Sequence, residues 1–303
     1  MNRRLQDILY SPLYVILHIL SWLPLPVLYI IANILYVIIY YVVRYRRKVV
    51  RKNLSKVFHD KSDKERLRIE RDFYHHFANF MVETVKLLHI SDAEMMRRME
   101  FVDAHVVDRF TTQGRPVMLL LGHYGNWEWI PSLTLWCKQT DNIKPGQIYR
   151  PLRNTWFDRL FLRLRGRFGT VCIAKNDTLR AMLRFKRNGE VPLIGFISDQ
   201  TPTGNNIHHW TSFMGLNTPV ITGFESIAKK LDMAIVYIDV ELLHRGYYRA
   251  TFRLLEENPT ACPDYDITNR YVAAMEQTIA RAPHAWLWTH KRWKHSPTHR
   301  HNS

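Results

Sequence analysis

The first part of the chain is a long apolar run. From Ile8 to Val43 there is no charged side chain, and only His18 and Asn33 are strongly polar. Pro24 and Pro26 divide the run, because two prolines this close together break or kink a helix. The second half is near the minimum length that crosses about 30 Å of hydrocarbon. Since a buried core helix would keep a polar face, residues 8–43 are predicted to form a hydrophobic membrane anchor, as one kinked span or as a span with an interfacial helix.

A basic cluster follows the apolar run directly. Seven Lys or Arg and no acidic residue lie between Arg44 and Lys56. Such a cluster marks the cytoplasmic side of a membrane segment and attracts anionic headgroups. Because this cluster stands where a small-residue cleavage site would follow a signal peptide, a removed signal peptide is excluded. A nucleic-acid-binding arm would explain the charges but not their attachment to an apolar run, so we expect a membrane-anchored protein with a cytosolic body.

Beyond residue 62 the spacing of apolar positions changes repeatedly. Short continuous or alternating apolar runs predict strands, whereas spacing of three and four residues predicts helices. The predicted strands are 116–121, 192–198, 234–240 and 247–255, and the predicted helices are 63–89, 126–138, 155–167, 178–187, 220–231 and 267–281. Strands that alternate with helices indicate an α/β fold with one central sheet, so residues 44–303 are expected to form one domain.

Composition narrows the function classes. The 303 residues include 43 Lys and Arg against 27 Asp and Glu, a formal net charge of +16. This excess indicates an anionic partner, either nucleic acid, a membrane surface, or a phosphorylated or acidic substrate. Cys137, Cys172 and Cys262 have no C-x-x-C spacing, which excludes a disulfide framework and a zinc quartet and favours a reducing compartment.

The most informative segment is 121–128, with the sequence LGHYGNWE. It places His123 directly after a predicted buried strand and Glu128 on the expected first turn of a helix. Ligands bind at the carboxyl ends of strands in open α/β sheets, and an imidazole with a carboxylate partner activates a hydroxyl. Spacing alone leaves two other interpretations open: a metal site, although no third ligand follows at a familiar offset, and a histidine that caps the helix.

This His-x4-Glu pattern resembles the signature of the glycerolipid acyltransferase superfamily, and the longer string is similar to its bacterial branch, the lipid A biosynthesis lauroyl/myristoyl acyltransferases. Further segments resemble that branch in the same order along nearly the whole chain. They are Tyr149-Arg150-Pro151 with Asn154, Asp199-Gln200, Phe213-Met214-Gly215, Thr222-Gly223 and the terminal segment 283–294, PHAWLWTHKRWK. Met214 and Trp293 stand where the family usually has Phe.

The resemblance implies a fold, an activity and a location. The fold is a glycerolipid-acyltransferase-like central mixed sheet flanked by helices. The activity is transfer of a fatty acyl chain from acyl carrier protein, or from coenzyme A, to a hydroxyl of a lipid A precursor. The location is the bacterial inner (cytoplasmic) membrane, with the catalytic domain on the cytoplasmic side. Neither a cofactor nor a metal is implied.

The resemblance also implies roles for single residues. His123 would be the general base and Glu128 its orienting partner. Arg150 would stabilise the oxyanion of the tetrahedral intermediate or bind an acceptor phosphate. The remaining candidates are Arg153 and Asn154 for oxyanion or phosphate binding, and Asn126 for substrate binding. Asp199 and Gln200 follow a predicted buried strand, so they too are expected at the ligand edge of the sheet. Both are candidates for substrate binding, and the alternative for Asp199 is that it caps the following turn.

Two further segments bear on partners. Six arginines lie between Arg150 and Arg167 with Asp158 as the only acid, and guanidinium groups suit an acceptor phosphate or the acidic surface of acyl carrier protein. From Arg159 onward a solvated helix face explains these arginines equally well. The tail 286–301 mixes aromatic and basic residues, but no nucleic-acid fingerprint accompanies it, so nucleic acid is not an expected partner.

Two alternative functions remain open. A phospholipid, aminolipid or glycolipid acceptor would keep the chemistry and change the substrate, because a fold does not determine a substrate. A membrane-tethered basic adaptor would need the cluster 44–56 but neither His123 nor Glu128.

Overall fold

The computed structural model describes residues 3–138 and 140–295, so part of the predicted aromatic and basic tail, 296–301, lies outside the described residues. The α-helices are α1 (Arg3–Trp22), α2 (Leu25–Val37), α3 (Arg47–Val57), α4 (Asp63–Lys86), α5 (Asp92–Arg98), α6 (His105–Thr111), α7 (Thr155–Arg165), α8 (Thr178–Arg187), α9 (Gly223–Leu231) and α10 (Asp266–Arg281). The strands are β1 (Met99–Val102), β2 (Val117–Leu121), β3 (Ile143–Tyr149), β4 (Val171–Ala174), β5 (Val191–Ile197), β6 (Trp210–Phe213), β7 (Leu216–Pro219), β8 (Ala234–His244) and β9 (Tyr247–Glu256). A π-helical segment, Ile38–Val42, continues α2, and short 3-10 segments lie at Ile130–Leu135, Lys175–Asp177, Gly204–Asn206, Pro259–Ala261 and Pro283–Ala285.

Seven strands form one sheet in the order β1-β9-β8-β2-β5-β3-β4. Every neighbouring pair in it is parallel except β8 and β9. All five residues of the central strand β2 are buried, as expected for a parallel strand that helices cover on both faces. The sequence-based prediction of a mixed α/β sheet flanked by helices is therefore confirmed.

Most of the predicted elements occur where the patterns place them. The four predicted strands correspond to β2, β5, β8 and β9, and five predicted helices correspond to α4, α7, α8, α9 and α10. The helix predicted over 126–138 is wrong, because turns follow the motif and only the 3-10 segment Ile130–Leu135 forms. Pro131 has no N–H to donate to the preceding turn. The side chains of Asn126 and Trp129 are instead bonded to Glu83 of α4.

The N-terminal apolar run forms two helices separated at Pro24. With its π-helical continuation, the second gives an 18-residue helix, Leu25–Val42, that is long and apolar enough to cross a membrane. One face of α2 packs against α4 through Leu25, Leu28, Ala32 and Tyr36, and its opposite face is exposed. The division of the chain into an anchor, 8–43, and a catalytic domain, 44–303, remains a prediction.

Candidate active site

The predicted site lies where β2 and β5 end side by side. Leu121, the last residue of β2, pairs with Ile197, the last residue of β5, in a parallel ladder. Because the two strands run in the same direction, the residues two positions further on, His123 and Asp199, leave the sheet at the same edge. This strand register brings together two side chains that are far apart in sequence.

His123 and Asp199 form a hydrogen-bonded pair. The imidazole Nδ1 lies 2.7 Å from Oδ1 of Asp199, and the backbone N–H of His123 donates to Oδ2 at 2.9 Å. The indole of Trp286 donates to the same Oδ2 at 2.8 Å. Burial alone would raise the pKa of Asp199, but the adjacent His123 and these donated hydrogen bonds outweigh burial and hold that pKa at about 2. An ionised carboxylate accepts the Nδ1 proton of a neutral His123, so the free lone pair lies on Nε2.

Nε2 of His123 is covered by Gln200. The amide nitrogen of Gln200 lies 3.3 Å from Nε2, and both side chains line the same pocket. The C-terminal segment fixes this turn, because the N–H of Thr201 donates to Nε2 of His290 at 3.1 Å. Burial lowers the pKa of His290 to about 4, which keeps it a neutral acceptor at neutral pH. Residues 286–290 therefore support both Asp199 and the turn after it.

Two glycines let the motif loop approach its neighbours. A Cβ atom at Gly122 would lie 2.4 Å from the methyl carbon of Met275 and 3.3 Å from Oδ2 of Asp199. Gly125 has a φ of +60°, a left-handed conformation that favours glycine. A side chain at Gly122 would force the end of the Met275 side chain to move, whereas a side chain at Gly125 would strain the backbone of the loop that carries His123.

Glu128 is bound by Arg165 and not by His123. Its buried carboxylate accepts two hydrogen bonds from the guanidinium group, at 2.8 Å from Nε and 2.6 Å from Nη2. The expectation that Glu128 orients the imidazole is therefore corrected: Asp199 takes that place, because β5 delivers it to Nδ1 across the sheet. Glu128 and Arg165 still line the pocket together with His123.

Asn126 supports the loop from behind. It is fully buried, and its amide donates to Oε2 of Glu83 at 2.8 Å. The same carboxyl group accepts hydrogen bonds from Tyr248 at 2.8 Å and from Tyr29 of α2 at 2.9 Å. Burial raises the pKa of Glu83 although these donors oppose the shift. Asn126 is thus not placed to bind substrate, contrary to the expectation from its position in the motif.

The pocket beside His123 has a volume of about 410 Å³. Polar and charged side chains line one part of it and apolar side chains the rest. The polar lining includes Glu128, Gln147, Arg150, Arg165, Lys175 and Gln200, and the apolar lining includes Trp127, Ile148, Leu152, Phe196, Ile197, Phe224 and Ile227. A mixed lining of this kind suits an amphiphilic substrate that carries negative charge.

The remaining predicted residues divide into one that lines the pocket and two that do not. Arg150 is exposed at the pocket, whereas Arg153 is exposed outside its lining. Asn154 caps α7, because its Oδ1 accepts from the N–H of Trp156 at 3.0 Å, and its amide donates to the hydroxyl of Tyr10 in α1 at 2.9 Å. Of these three residues, only Arg150 lines the pocket, so its oxyanion or phosphate contact stays a prediction.

Three residues of this arrangement were missed by sequence reasoning. Trp286 belongs to a segment that resembles the family, which marks it as a candidate. The sequence does not indicate, however, that its indole binds Asp199. In the sequence, Arg165 and Glu83 are indistinguishable from ordinary charged residues on the surface of a helix. Among residues 3–138 and 140–295, no group of three or more His, Cys, Asp or Glu side chains could hold a metal ion, so the metal interpretation of the motif has no ligand set there.

A histidine held by a buried carboxylate can act as a general base on a hydroxyl, and a pocket with arginines and apolar walls suits an amphiphilic, negatively charged substrate. The chain belongs to the bacterial lipid A biosynthesis acyltransferase family, which it matches over residues 3–295. It is 23% identical over 294 residues to the lipid A biosynthesis lauroyltransferase of Escherichia coli (strain K12), with 92% of each chain covered. It is 25% identical over 259 residues to the lipid A biosynthesis palmitoleoyltransferase of the same organism, covering 83% of this chain and 80% of the relative. The protein is therefore an acyltransferase with a lipid A-type acceptor, and the adaptor alternative is set aside.

Substitution of Asp199 by Asn tests the pairing with His123. We expect kcat to fall by about 100- to 10,000-fold, as for His123→Ala, because an amide neither fixes the tautomer nor stabilises the imidazolium. The exposed Asp141→Asn variant serves as the control. A folded Asp199→Asn enzyme with wild-type kcat would contradict this pairing.

A double-mutant cycle tests the coupling of Glu128 and Arg165. Glu128→Gln and Arg165→Gln are each expected to lower kcat. Each is also expected to lower the free energy of unfolding by about 3 kcal/mol, seen as a lower melting temperature, because each leaves a buried charge unpaired. The double variant should cost little more than either single one. Additive losses in the cycle would show that Glu128 and Arg165 act independently and would contradict this coupling.

Proposed function

We propose that the protein transfers a fatty acyl chain from acyl carrier protein to a hydroxyl of a lipid A precursor, with His123 as the general base. The observation that carries this proposal is the contact of Nδ1 of His123 with Asp199, which leaves Nε2 available in the pocket. Membership of the family supplies the acceptor class. The receiving hydroxyl is that of a 3-hydroxyacyl chain already attached to the glucosamine disaccharide.

The proposed reaction is a direct transfer. Nε2 of His123 removes the proton of the acceptor hydroxyl while the hydroxyl oxygen attacks the thioester carbonyl of the donor. Asp199 stays ionised and stabilises the imidazolium. When the tetrahedral intermediate collapses, the carbon–sulfur bond breaks and the imidazolium returns the proton to the leaving thiolate. Gln200 gives up its contact with Nε2 when the acceptor hydroxyl takes that position.

The two arginines of the pocket serve different charges in this proposal. Arg165 is fixed by Glu128 before substrate binds, which suits stabilisation of the oxyanion, because a preorganised donor is worth about 3 kcal/mol. Arg150 lies exposed at the pocket and suits a phosphate of the acceptor. Glu128 is then a positioning residue that acts through Arg165.

The donor is proposed to approach from α8. Arg180, Arg184 and Arg187 recur along one exposed side of this helix. Like charges at this spacing repel one another, so an acidic partner that covers them would relieve the repulsion. A groove of about 820 Å³ follows the arginines and shares Tyr149 with the pocket of His123. The shared residue supports a continuous path from a carrier protein on α8 to the general base.

Location follows from the N-terminal part of the chain. The apolar helices α1 and α2 and the basic cluster 44–56 support attachment to the bacterial inner membrane with the body on the cytoplasmic side. The family's role in bacterial lipid A biosynthesis agrees with this location.

Mass spectrometry of lipid A from cells with and without the gene tests the acceptor. We expect the deletion to accumulate a species lighter by one acyl chain, since the hydroxyl stays unmodified. The wild-type gene should restore the acylated species, whereas His123→Ala should not, and the exposed His208→Ala variant serves as the matched control. Unchanged lipid A together with loss of another O-acylated lipid would assign a phospholipid, aminolipid or glycolipid acceptor.

Charge reversal on α8 tests the donor. In the variant Arg180→Glu with Arg184→Glu and Arg187→Glu, we expect KM for the acyl carrier protein substrate to rise by about tenfold or more with little change in kcat. KM for acyl-coenzyme A, which needs no protein surface, should stay near wild type. Lys64, Arg68 and Arg71 on α4 have the same spacing, and their reversal is the control. Equal losses with both donors, or no loss with either, would contradict docking on α8.

A further inference from the structure

We propose that α1 and α2 lie in the plane of the membrane, with their exposed faces in one leaflet, and that the helix Leu25–Val42 does not cross the bilayer. This inference rests on the proposed attachment to a membrane and concerns how the attachment is made. Length and composition permit a crossing helix. The contacts made by the two ends and the middle of this helix oppose a crossing orientation.

Both ends of the helix are fixed to α4. Before its start, Nζ of Lys86 donates to the carbonyl oxygen of Leu23 at 2.9 Å and to that of Ser21 at 3.1 Å. After its end, the hydroxyl of Tyr74 donates to the carbonyl oxygen of Tyr45 at 2.5 Å. Helix α4 therefore accompanies Leu25–Val42 along its length. A crossing helix would carry α4 into about 30 Å of hydrocarbon together with itself.

The middle of the helix contacts charged and polar groups. Arg245, at the turn between β8 and β9, donates to Oδ1 of Asn33 at 2.8 Å and to the carbonyl oxygen of Tyr29 at 3.1 Å. The hydroxyl of Tyr29 donates to Glu83. Asn33 lies near the midpoint of Leu25–Val42, so a crossing orientation would place an arginine and the end of the central sheet at the bilayer centre. Ionised side chains are costly at that depth.

Helix α1 packs against the same body. The hydroxyl of Tyr10 accepts from the amide of Asn154 at 2.9 Å, and its ring stacks on Trp156 of α7 with 5.1 Å between the centroids. If Leu25–Val42 crossed the membrane, α1 would emerge on the side opposite to the body. Its contacts with α7 are possible only when α1 and the body lie on the same side.

The outer faces of both helices are apolar. Their exposed side chains recur at helical spacing, as Val15, Ile19 and Trp22 in α1 and as Ile30, Ile34, Val37 and Tyr41 in α2 and its continuation. An apolar face opposite a polar, packed face is typical of a helix that lies in a membrane interface. The exposed Arg44, Lys48 and Lys52 follow this surface in the chain and suit anionic headgroups. The bilayer surface is therefore the proposed occupant of these faces.

In-plane attachment would bring the pocket to the surface of the leaflet. Asn154, which contacts α1, follows Arg150 and Leu152 of the pocket lining closely in sequence. The pocket and α1 are thus neighbours on the body. A lipid acceptor could keep its acyl chains in the leaflet while its hydroxyl reaches His123.

Protease accessibility of two epitope tags on the full-length chain tests this inference. One tag precedes Met1 and the other follows Ser303. We expect both tags to be protected in intact spheroplasts and both to be cleaved in inverted inner-membrane vesicles, because both termini would lie on the cytoplasmic side. Cleavage of the N-terminal tag alone in spheroplasts would overturn the inference. Cleavage of a periplasmic loop of another inner-membrane protein is the positive control, because it shows that the protease is active outside the spheroplasts.

Acyl transfer measured in the same vesicles separates this inference from the proposed function. Transfer activity together with an N-terminal tag cleaved in spheroplasts would reject the in-plane arrangement and leave the function intact. The expected tag protection without any transfer activity would reject the function and leave the arrangement intact.

Single charges on the outer face test its contact with lipid. We expect Ile34→Lys to weaken binding of the purified protein to phosphatidylethanolamine–phosphatidylglycerol vesicles by about tenfold or more, because an exposed apolar side chain that would enter the leaflet is replaced by a strongly hydrated cation. Leu254→Lys, at an exposed leucine on β9, is the matched control and should bind as wild type. Wild-type binding by Ile34→Lys, with its fold retained, would overturn the proposed lipid contact.

Discussion

The ionised carboxylate of Asp199 is the constraint on which the rest of the site depends. A buried anion persists only where donors surround it, and these donors come from distant parts of the chain. The β2–β5 register supplies both N–H groups of His123, and the terminal segment supplies the indole of Trp286. The missing Cβ at Gly122 keeps the approach open. The segment that contains Trp286 therefore packs at the carboxyl edge of the sheet, where its indole stabilises the negative charge of Asp199. The same packing buries Trp286 and Trp288.

A second buried carboxyl group, that of Glu83, ties the motif loop to the N-terminal helices. Asn126, Tyr248 and Tyr29 all donate to it. Since Tyr29 lies in α2, the position of this apolar helix is coupled through one side chain to the loop that carries His123. Burial raises the pKa of this carboxyl group, whereas the three donated hydrogen bonds oppose that shift because they stabilise its charged form. The N-terminal helices and the motif loop thus depend on the same buried carboxyl group.

How much the sequence could predict depends on whether the determining contact is local. The buried strand β2 and the place of His123 at its end follow from adjacent residues, and both were predictable. The partner of His123 was not, because Glu128 is near in sequence while Asp199 is near only through strand pairing. The sequence of β3 does not indicate a strand, because Pro145 and Gly146 lie inside it. In the structure its pairing with β5 on one side and β4 on the other holds it in the sheet. The resemblance to a family identified the segments that contain His123, Asp199 and Trp286, but it did not show that these residues contact one another.

The net charge of +16 does not show where the basic residues lie, but the structure does. One group of basic residues, the cluster 44–56, follows the apolar helices, and another lies along α8. Helices α1 and α7 adjoin one side of the pocket, and the groove of α8 adjoins it at Tyr149. Inside the pocket Arg165 is paired with Glu128, and Arg150 and Lys175 also line it. A fixed guanidinium group and two further cations therefore lie around the space beside His123, and an arrangement of this kind suits a negative charge that develops there.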